Sequence, residues 1–223
     1  MLRVAVPNKG ILSETALLML KEAGYAVRRD PKDLHVIDSK HDIEFFYLRP
    51  RDIATYVGEG SLDAGFTGLD LLRDSRSKAV AVADLRFGES TFRFAGPVGK
   101  FKALSELGGL RVATAYPNLV SDFLSEQGVS ATVVQLDGAV ESAVKLGVAD
   151  AVADVVSTGS TLRLAGLEIF GPELLRSTAQ LICAPGKQEL AQTLLRRMQG
   201  VIVAREYVIF DYDCPAELVD EAS

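Results

Sequence analysis

The sequence predicts an α/β fold made of two lobes on a similar plan. Short apolar runs typical of buried strands alternate along the chain with segments of helical periodicity, the order expected of largely parallel sheets. A Gly-x-x-Asp-Ala pattern also occurs twice, at 60–64 and 147–151, each time after a helical segment and before a strand that ends in Thr-Gly. Two lobes built alike explain this echo, and chance recurrence of a common turn is the alternative.

The first half of the chain yields strands at 2–6, 34–38, 43–48, 62–66 and 80–85. The second and third of these read as a hairpin. Pro7-Asn8-Lys9-Gly10 ends the first strand, Ser13 can cap the helix that follows, and Gly24 can stop it. Pro50 suits a first helical turn, so a helix is predicted from 50 to 57, with a shorter one at 68–73.

The second half continues the alternation. Strands are predicted at 92–96, 110–115, 131–136, 149–156, 167–170, 181–184 and 207–212. Helices are predicted at 117–126, where Pro117 opens the first turn, at 138–146, and at 188–201, which is the longest.

Composition excludes several classes of function. The net charge of −6 over 223 residues argues against a nucleic-acid partner, which would need a basic face. No apolar stretch reaches about 18 residues and the chain opens directly into a strand, so we expect no membrane span, no signal peptide and a cytoplasmic protein. Cys183 and Cys214 have no metal-ligand spacing and suggest a reducing compartment. His35 and His41 are expected on the surface.

An acid followed by small hydroxyl residues is the strongest functional signal. Asp154 lies near the end of an apolar strand, and the next residues can bring hydroxyls and backbone N–H groups together; they are Ser157, Thr158, Gly159, Ser160 and Thr161. Such a loop can hold a phosphate with little cationic charge, and the acid can accept hydrogen bonds from sugar hydroxyls. The pattern favours a phosphorylated ribose, and a polar turn after a buried strand is the alternative.

Cationic residues follow strands of the first lobe. Lys9 precedes a helix, and Arg49 and Arg51 bracket Pro50 at the next strand–helix junction, where they could grip phosphate oxygens. Ligands of open α/β sheets bind beyond the carboxyl ends of strands, so these side chains, Thr67, Gly68 and Asp70 would face one cleft. Tyr116 could lie against a base or fill the core. Taken alone, each cation is more often a solvated surface charge, and three of them at strand ends beside Thr67-Gly68 favour a ligand site instead.

Five segments together resemble the ATP phosphoribosyltransferase family. They are Leu2-Arg3-Val4-Ala5-Val6-Pro7-Asn8-Lys9-Gly10, Leu48-Arg49-Pro50, Asp63-Ala64-Gly65-Phe66-Thr67-Gly68-Leu69-Asp70, Ala115-Tyr116-Pro117-Asn118 and Asp154-Val155-Val156-Ser157-Thr158-Gly159-Ser160-Thr161-Leu162. They occur in the family's order and spacing, and the resemblance extends over essentially the whole chain.

The resemblance implies a fold and a reaction. The fold would be two-lobed, like type II periplasmic binding proteins, with residues 1–90 and 184–215 in the first lobe, 91–183 in the second and a frayed tail at 216–223. The reaction would join N1 of ATP to C1 of phosphoribosyl pyrophosphate, release pyrophosphate and begin histidine biosynthesis. Magnesium would accompany the phosphates, and no metal site made of protein side chains is predicted.

The resemblance also assigns roles to residues. Ser157 to Thr161 would hold the ribose 5-phosphate, Asp154 the ribose hydroxyls, and Glu141 would lie near the ribose. The nucleotide and pyrophosphate would be surrounded by Lys9, Arg49, Asp70 and Tyr116, with Arg51, Thr67 and Gly68 beside them. Lys9 and Asp154 are the residues expected to act in catalysis.

The ending of the chain resembles the family's long form without its C-terminal regulatory domain, so this chain is expected to be insensitive to histidine. The family usually forms homodimers that build larger assemblies, and its short form takes a separate regulatory subunit. A two-lobed module that binds a phosphorylated metabolite without catalysis is the alternative function, since one fold serves many functions.

Overall fold

The computed structural model describes residues 1–27, 33–156 and 159–207. Its strands are β1 (Leu2–Pro7), β2 (His35–Asp38), β3 (Ile43–Leu48), β4 (Ala64–Gly68), β5 (Val80–Asp84), β6 (Ser90–Pro97), β7 (Arg111–Thr114), β8 (Thr132–Gln135), β9 (Ala151–Val156), β10 (Leu167–Ser177) and β11 (Ala179–Cys183). Its α-helices are α1 (Ile11–Glu22), α2 (Pro50–Gly58), α3 (Leu69–Ser75), α4 (Pro117–Glu126), α5 (Ser142–Lys145), α6 (Ser160–Leu164) and α7 (Gln192–Glu206), and a 3-10 helix spans Leu104–Leu107.

The first lobe is built on a six-stranded sheet in the order β2-β3-β1-β4-β11-β5. β1 runs parallel to β3 on one side and to β4 on the other, whereas β11 lies antiparallel between β4 and β5. Because helices cover both faces of β1, the strand is apolar apart from Arg3: Val4 packs in one cluster with Leu20 and Met198, and Ala5 packs in another with Ile53.

The second lobe is built on a five-stranded sheet in the order β10-β6-β9-β7-β8. One face buries aromatic side chains, with Phe92 and Phe94 in the same cluster as Phe170. The other face buries smaller side chains, including Val152 of β9 and Leu162 of α6. β9 is therefore covered on both sides along most of its length, which fixes the strand that carries Asp154.

The two sheets follow one plan, as the sequence echo predicted. In each, a leading strand (β1 or β7) lies between two strands that run parallel to it, β3 and β4 in one sheet and β8 and β9 in the other. An antiparallel strand then follows, β11 beside β4 and β6 beside β9. The carboxyl ends of β1, β3 and β4 in one lobe and of β7, β8 and β9 in the other are thus placed equivalently, where ligands of such sheets bind.

The chain passes between the sheets twice. The first passage joins β5 to β6, and the second joins β10 to β11 through Thr178. Residues 179–183 were predicted to belong to the second lobe, but they form β11 of the first sheet. Sheet membership is decided by pairing with β4 and β5, a contact that local sequence does not encode. α7 packs on the first lobe; residues 208–215 and the tail at 216–223 lie outside the described ranges.

Several predicted elements need correction. Ser13 does not cap α1: the helix starts after Gly10, whose carbonyl accepts the Ser13 N–H, and Ser13 is buried within the first turn. β10 continues past Phe170 to Ser177 because register shifts between Phe170 and Leu175 accommodate Gly171 and Pro172 within the strand. Of the helix predicted at 138–146, only α5 (Ser142–Lys145) forms.

Other differences concern helix ends and a histidine. α6 was not predicted. α7 starts at Gln192 and runs to Glu206, so Tyr207 caps it, and the rest of the strand predicted at 207–212 lies outside the described residues. His35 is exposed as expected, whereas the His41 side chain is only 11% exposed because its Nδ1 pairs with the buried Asp38.

Asp74 joins the lobes through a buried carboxylate. It lies on α3 of the first lobe, yet its Oδ1 accepts the backbone N–H groups of Asn118 (3.0 Å) and Leu119 (3.1 Å) at the start of α4 in the second. Its Oδ2 accepts a hydrogen bond from Arg51 Nη1 at 3.0 Å. The N-terminus of α4 is therefore capped from the opposite lobe.

We expect Asp74→Ala to lower the free energy of unfolding by about 2–4 kcal/mol, because two buried N–H groups and a guanidinium lose their acceptor. Urea denaturation measures this. The matched control is Asp122→Ala, which removes the exposed ion pair with Arg76 between the same two helices and should cost under about 1 kcal/mol. Equal losses in the two variants would contradict the buried capping role.

Candidate active site

A cleft of about 840 Å³ lies between the two lobes. Residues at the ends of strands and the starts of helices from both sheets line it. From the predicted set the lining includes Lys9, Arg49, Arg51, Gly68, Asp70 and Tyr116. The remaining lining residues are Gly10, Ile11, Leu12, Pro50, Asp52, Leu71, Gly88, Glu89, Ser90, Asp137, Val155 and Ser177.

Lys9 and Arg49 present exposed cationic side chains on the cleft. Lys9 stands between β1 and α1, where Gly10 adopts a positive φ (78°) with an extended ψ (−179°), a conformation open to glycine that lets the chain turn sharply into the helix. Arg49 is the N-cap residue of α2, and Pro50 occupies the first helical turn as predicted. Both cations thus lie beyond the carboxyl ends of adjacent parallel strands, where an anionic ligand would meet them.

Arg51 makes two contacts within the protein. Its guanidinium bonds Asp74, as described, and its Cζ lies 4.9 Å from the centre of the Tyr116 ring. The Arg51 side chain remains 46% exposed, so the outer face of the guanidinium is still open to the cleft. Arg51 therefore orients Tyr116 in this state as well as contributing positive charge.

Tyr116 of the second lobe reaches toward the first. Its ring packs edge-on against Phe92, with centroids 5.0 Å apart, and its hydroxyl lies close enough to the Asp70 carboxylate to feel its charge. Burial, then the charge of Asp70, raises the pKa of Tyr116 well above its ordinary value, so this hydroxyl is a neutral donor. One edge of the ring packs in the core and the other lines the cleft, so the core reading of Tyr116 holds in part and contact with a base stays a prediction.

Asp70 is buried at the start of α3. Its carboxylate accepts a hydrogen bond from Ser177 Oγ at 2.7 Å. It lies over the backbone of Gly68: a Cβ on that glycine would stand 2.2 Å from Asp70 Oδ1. The glycine is therefore required to make room for a carboxylate.

Thr67 does not line the cleft. Its side chain is buried, and its hydroxyl donates to the carbonyl of Pro50 at 3.2 Å. Thr67 fixes the turn that carries Arg49 and Arg51. The repeated Thr-Gly pair gave no signal for this inward orientation.

Asp154 lies partly buried near the end of β9 and does not itself line the cleft, whereas its neighbour Val155 does. Its Oδ1 accepts the Val155 N–H at 2.7 Å. Burial raises the pKa of Asp154 above its ordinary value, and the negative charges of Glu141 and Asp70 raise it further. These three acids thus belong to one electrostatic neighbourhood, although Glu141 itself, at the N-cap of α5, is not part of the cleft lining.

The loop after β9 is described only in part. Ser157 and Thr158 lie outside the described residues. Gly159 is left-handed (φ 68°) and caps α6, while Ser160 and Thr161 are exposed in the first turn of that helix. The described part of the loop is therefore open to solvent, as a ligand-binding loop must be.

The charges of the cleft nearly balance. Its described lining holds three cationic residues against the four acids Asp52, Asp70, Glu89 and Asp137. Glu89, Ser90 and Ser177 come from the two passages between the lobes and were missed by the sequence analysis, because nothing local marks a crossover. Among the described residues no cluster of three or more His, Cys, Asp or Glu side chains is arranged to hold a metal ion, and no helix has the length and apolar composition needed to cross a membrane.

Comparison with known proteins identifies the family. The model of the HisG family, ATP phosphoribosyltransferase, matches residues 49–200. ATP phosphoribosyltransferases of Paenarthrobacter aurescens and Salinispora tropica are 57% and 59% identical to this chain over all of its length and 80% of theirs.

Solved structures agree. An ATP phosphoribosyl transferase (HisG:HisZ) complex from Thermotoga maritima matches with a TM-score of 0.79 and 30% identity, covering 92% of this chain and 100% of that one. A periplasmic binding protein from Brucella ovis shares the fold at a TM-score of 0.56 and 15% identity, covering 93% of this chain and 69% of that one. The two-lobed fold, the cleft and relatives more than half identical along the whole chain lead to one assignment: this chain belongs to the ATP phosphoribosyltransferase family.

Proposed function

We propose that the cleft between the lobes is where this ATP phosphoribosyltransferase holds its two substrates. The enzyme transfers the phosphoribosyl group of phosphoribosyl pyrophosphate to ATP, the first step of histidine biosynthesis. The single observation that carries the proposal is the convergence on one cleft of strand ends from both sheets, with Lys9 and Arg49 from one lobe and Tyr116 and Val155 from the other.

The phosphoribosyl group is assigned to the second lobe. Asp154 and Glu141 would accept hydrogen bonds from the ribose hydroxyls, and the loop would hold the 5-phosphate through Ser157, Thr158, Gly159, Ser160 and Thr161. The exposure of Ser160 and Thr161 supports this assignment, as does the shared electrostatic neighbourhood of the two acids. A hydroxyl donor suits an ionised carboxylate that burial has stripped of water.

The nucleotide and pyrophosphate are assigned to the first-lobe side. Lys9 and Arg49 would bind phosphate oxygens, with Arg51 adding charge, while Asp70 and Tyr116 would orient the nucleotide. Gly68 and Thr67 would act indirectly, Gly68 by leaving room for Asp70 and Thr67 by fixing the turn after β3.

The reaction needs no nucleophile from the protein. The C1–O bond to pyrophosphate breaks, that oxygen keeps the electron pair, and N1 of adenine forms the new bond to C1. Positive charge grows on the ribose and negative charge on pyrophosphate, so Asp154 and Glu141 would stabilise the former and Lys9 and Arg49 the latter. Holding both substrates in line can supply up to about 7–11 kcal/mol.

Enzymes of this family generally use a divalent metal, and we assign Mg²⁺ to that role. The residues fit an ion that arrives on the substrate's phosphates, because the acids of the cleft are dispersed and the three cations cannot by themselves neutralise two polyphosphates. When bound, Mg²⁺ would neutralise charge on the departing pyrophosphate.

We propose a homodimer or larger homo-oligomer as the assembly. A separate regulatory subunit is a further possible partner, since the Thermotoga maritima relative was solved as a HisG:HisZ complex. Size-exclusion chromatography with light scattering tests the first, and co-purification with a HisZ-type protein tests the second.

Release of pyrophosphate tests the function directly. Purified chain mixed with ATP, phosphoribosyl pyrophosphate and MgCl₂ should release pyrophosphate, and leaving out either substrate should abolish the signal. Binding of both substrates without release would favour the phosphometabolite-binding module instead.

A further inference from the structure

Ser177 stands where the chain passes from the second sheet to the first. It is the last residue of β10, opposite Ser90 at the start of β6, and Thr178 alone separates it from β11. It is 107 residues away from Asp70 in sequence, is buried, and lines the cleft.

Two hydrogen bonds tie Ser177 to Asp70 in both directions. Ser177 Oγ donates to Asp70 Oδ1 at 2.7 Å, and the same oxygen accepts the backbone N–H of Asp70 at 3.1 Å. The neighbouring Leu69 N–H donates to the Thr178 carbonyl at 3.0 Å. The first turn of α3 is therefore held by the passage between the lobes at three points.

The Asp70 carboxylate has little freedom left. Gly68 lies directly beneath it, and Ser177 binds it from the crossover. A buried carboxylate without donors would turn toward whichever cation or water it could reach. The serine hydroxyl is the donor that holds Asp70 over Gly68 and toward the cleft.

We infer that Ser177 is a positioning residue of the nucleotide site, acting through Asp70. The inference rests on the proposed function, in which Asp70 orients ATP. It extends the site to the crossover between the lobes, a part of the chain that the motifs do not include. Ser177 touches no reacting atom in this account; removal of its hydroxyl should weaken ATP binding and leave phosphoribosyl pyrophosphate binding alone.

Steady-state pyrophosphate release tests the inference with Ser177→Ala. We expect the KM for ATP to rise about tenfold, the loss typical of a hydrogen bond to a charged group, with the KM for phosphoribosyl pyrophosphate within twofold of wild type. Thr178→Ala is the matched control: it removes the adjacent hydroxyl, which bonds Asp84 and Gln180 and makes no contact with Asp70, and should behave as wild type.

A double-mutant cycle separates positioning from general packing. If Ser177 acts through Asp70, Ser177→Ala should change the KM for ATP less than twofold in an Asp70→Ala background, which lacks the acceptor. Ser177→Cys, with a thiol of similar size that donates weakly, should give an intermediate KM and covers the case in which the alanine variant folds poorly.

Equal KM values for Ser177→Ala and Thr178→Ala would overturn the inference, as would equal rises in KM for both substrates. A wild-type chain that releases no pyrophosphate would instead refute the proposed function. Measured side by side, the wild type and the variants distinguish these failures.

Discussion

Asp154→Asn should lower kcat by about 100-fold or more while leaving the folded state at least as stable as wild type. The change keeps the size of the side chain and removes its charge. An ionised Asp154 would offset the positive charge that grows on the ribose, and losing one such electrostatic contact typically costs 10²–10³ in rate. Pyrophosphate release measures the rate, and thermal unfolding measures stability.

Asp154→Asn is not expected to lower stability, because the pKa of Asp154 is raised in the folded state. Burial and the charges of Glu141 and Asp70 raise the pKa of Asp154, so the folded state holds this proton more tightly than the unfolded chain does. Stability from this group is present at low pH and is lost as the pH rises from the unfolded pKa through the higher folded pKa. At neutral pH the ionised carboxylate is therefore a cost to folding that asparagine removes.

Glu141→Gln is the control for this electrostatic account. Removal of one negative neighbour should shift the acid limb of the wild-type pH–rate profile to lower pH, since Asp154 then ionises more easily. A large loss of stability in Asp154→Asn, or more than half of the wild-type turnover, would remove Asp154 from the proposed role.

Gly68→Ala should lower kcat/KM for ATP by about 100-fold. The new methyl group would lie 2.2 Å from Asp70 Oδ1, so the carboxylate has to move and lose its hydrogen bond to Ser177. Displacement of a binding group by about 1 Å is enough for a loss of that size. Broken buried hydrogen bonds should also lower the free energy of unfolding by about 1–3 kcal/mol.

Gly200→Ala provides the matched control. Gly200 lies inside α7, and nothing stands within 4 Å of an added Cβ, so its kinetics should match wild type and its stability should rise by up to about 1 kcal/mol. Asp70→Asn should reproduce the kinetic loss of Gly68→Ala. Wild-type kinetics in Gly68→Ala would show that ATP does not depend on where the Asp70 carboxylate lies.

Local sequence patterns predicted much of the fold because they reflect interactions between residues that are close together in the chain. β1, α2 and α4 were found because apolar periodicity and prolines at first helical turns act within a few residues. The errors occur where distant contacts decide. β11 was assigned to the wrong lobe because its partners β4 and β5 are far away in sequence. Ser13 was read as the N-cap of α1 because the sequence does not show that Gly10 adopts a positive φ and starts the helix.

The site divides in the same way. Lys9, Arg49, Asp70 and Tyr116 could be selected from sequence, because each follows a strand and precedes or opens a helix. The hydrogen-bond partners of the site residues could not be selected from sequence. Asp74 accepts from Arg51, the Pro50 carbonyl accepts from the Thr67 hydroxyl, and Ser177 donates to Asp70.

The sequence alone determined the two-lobed α/β plan, the family and six of the residues that line the cleft, because local periodicity and short motifs mark strand ends and helix starts. Only the tertiary structure decided which of those side chains remain open to a ligand and which are bound to neighbours. Hydrogen-bond partners such as Asp70 and Ser177 come into contact only when distant segments of the chain pack together, and local sequence patterns do not predict such contacts.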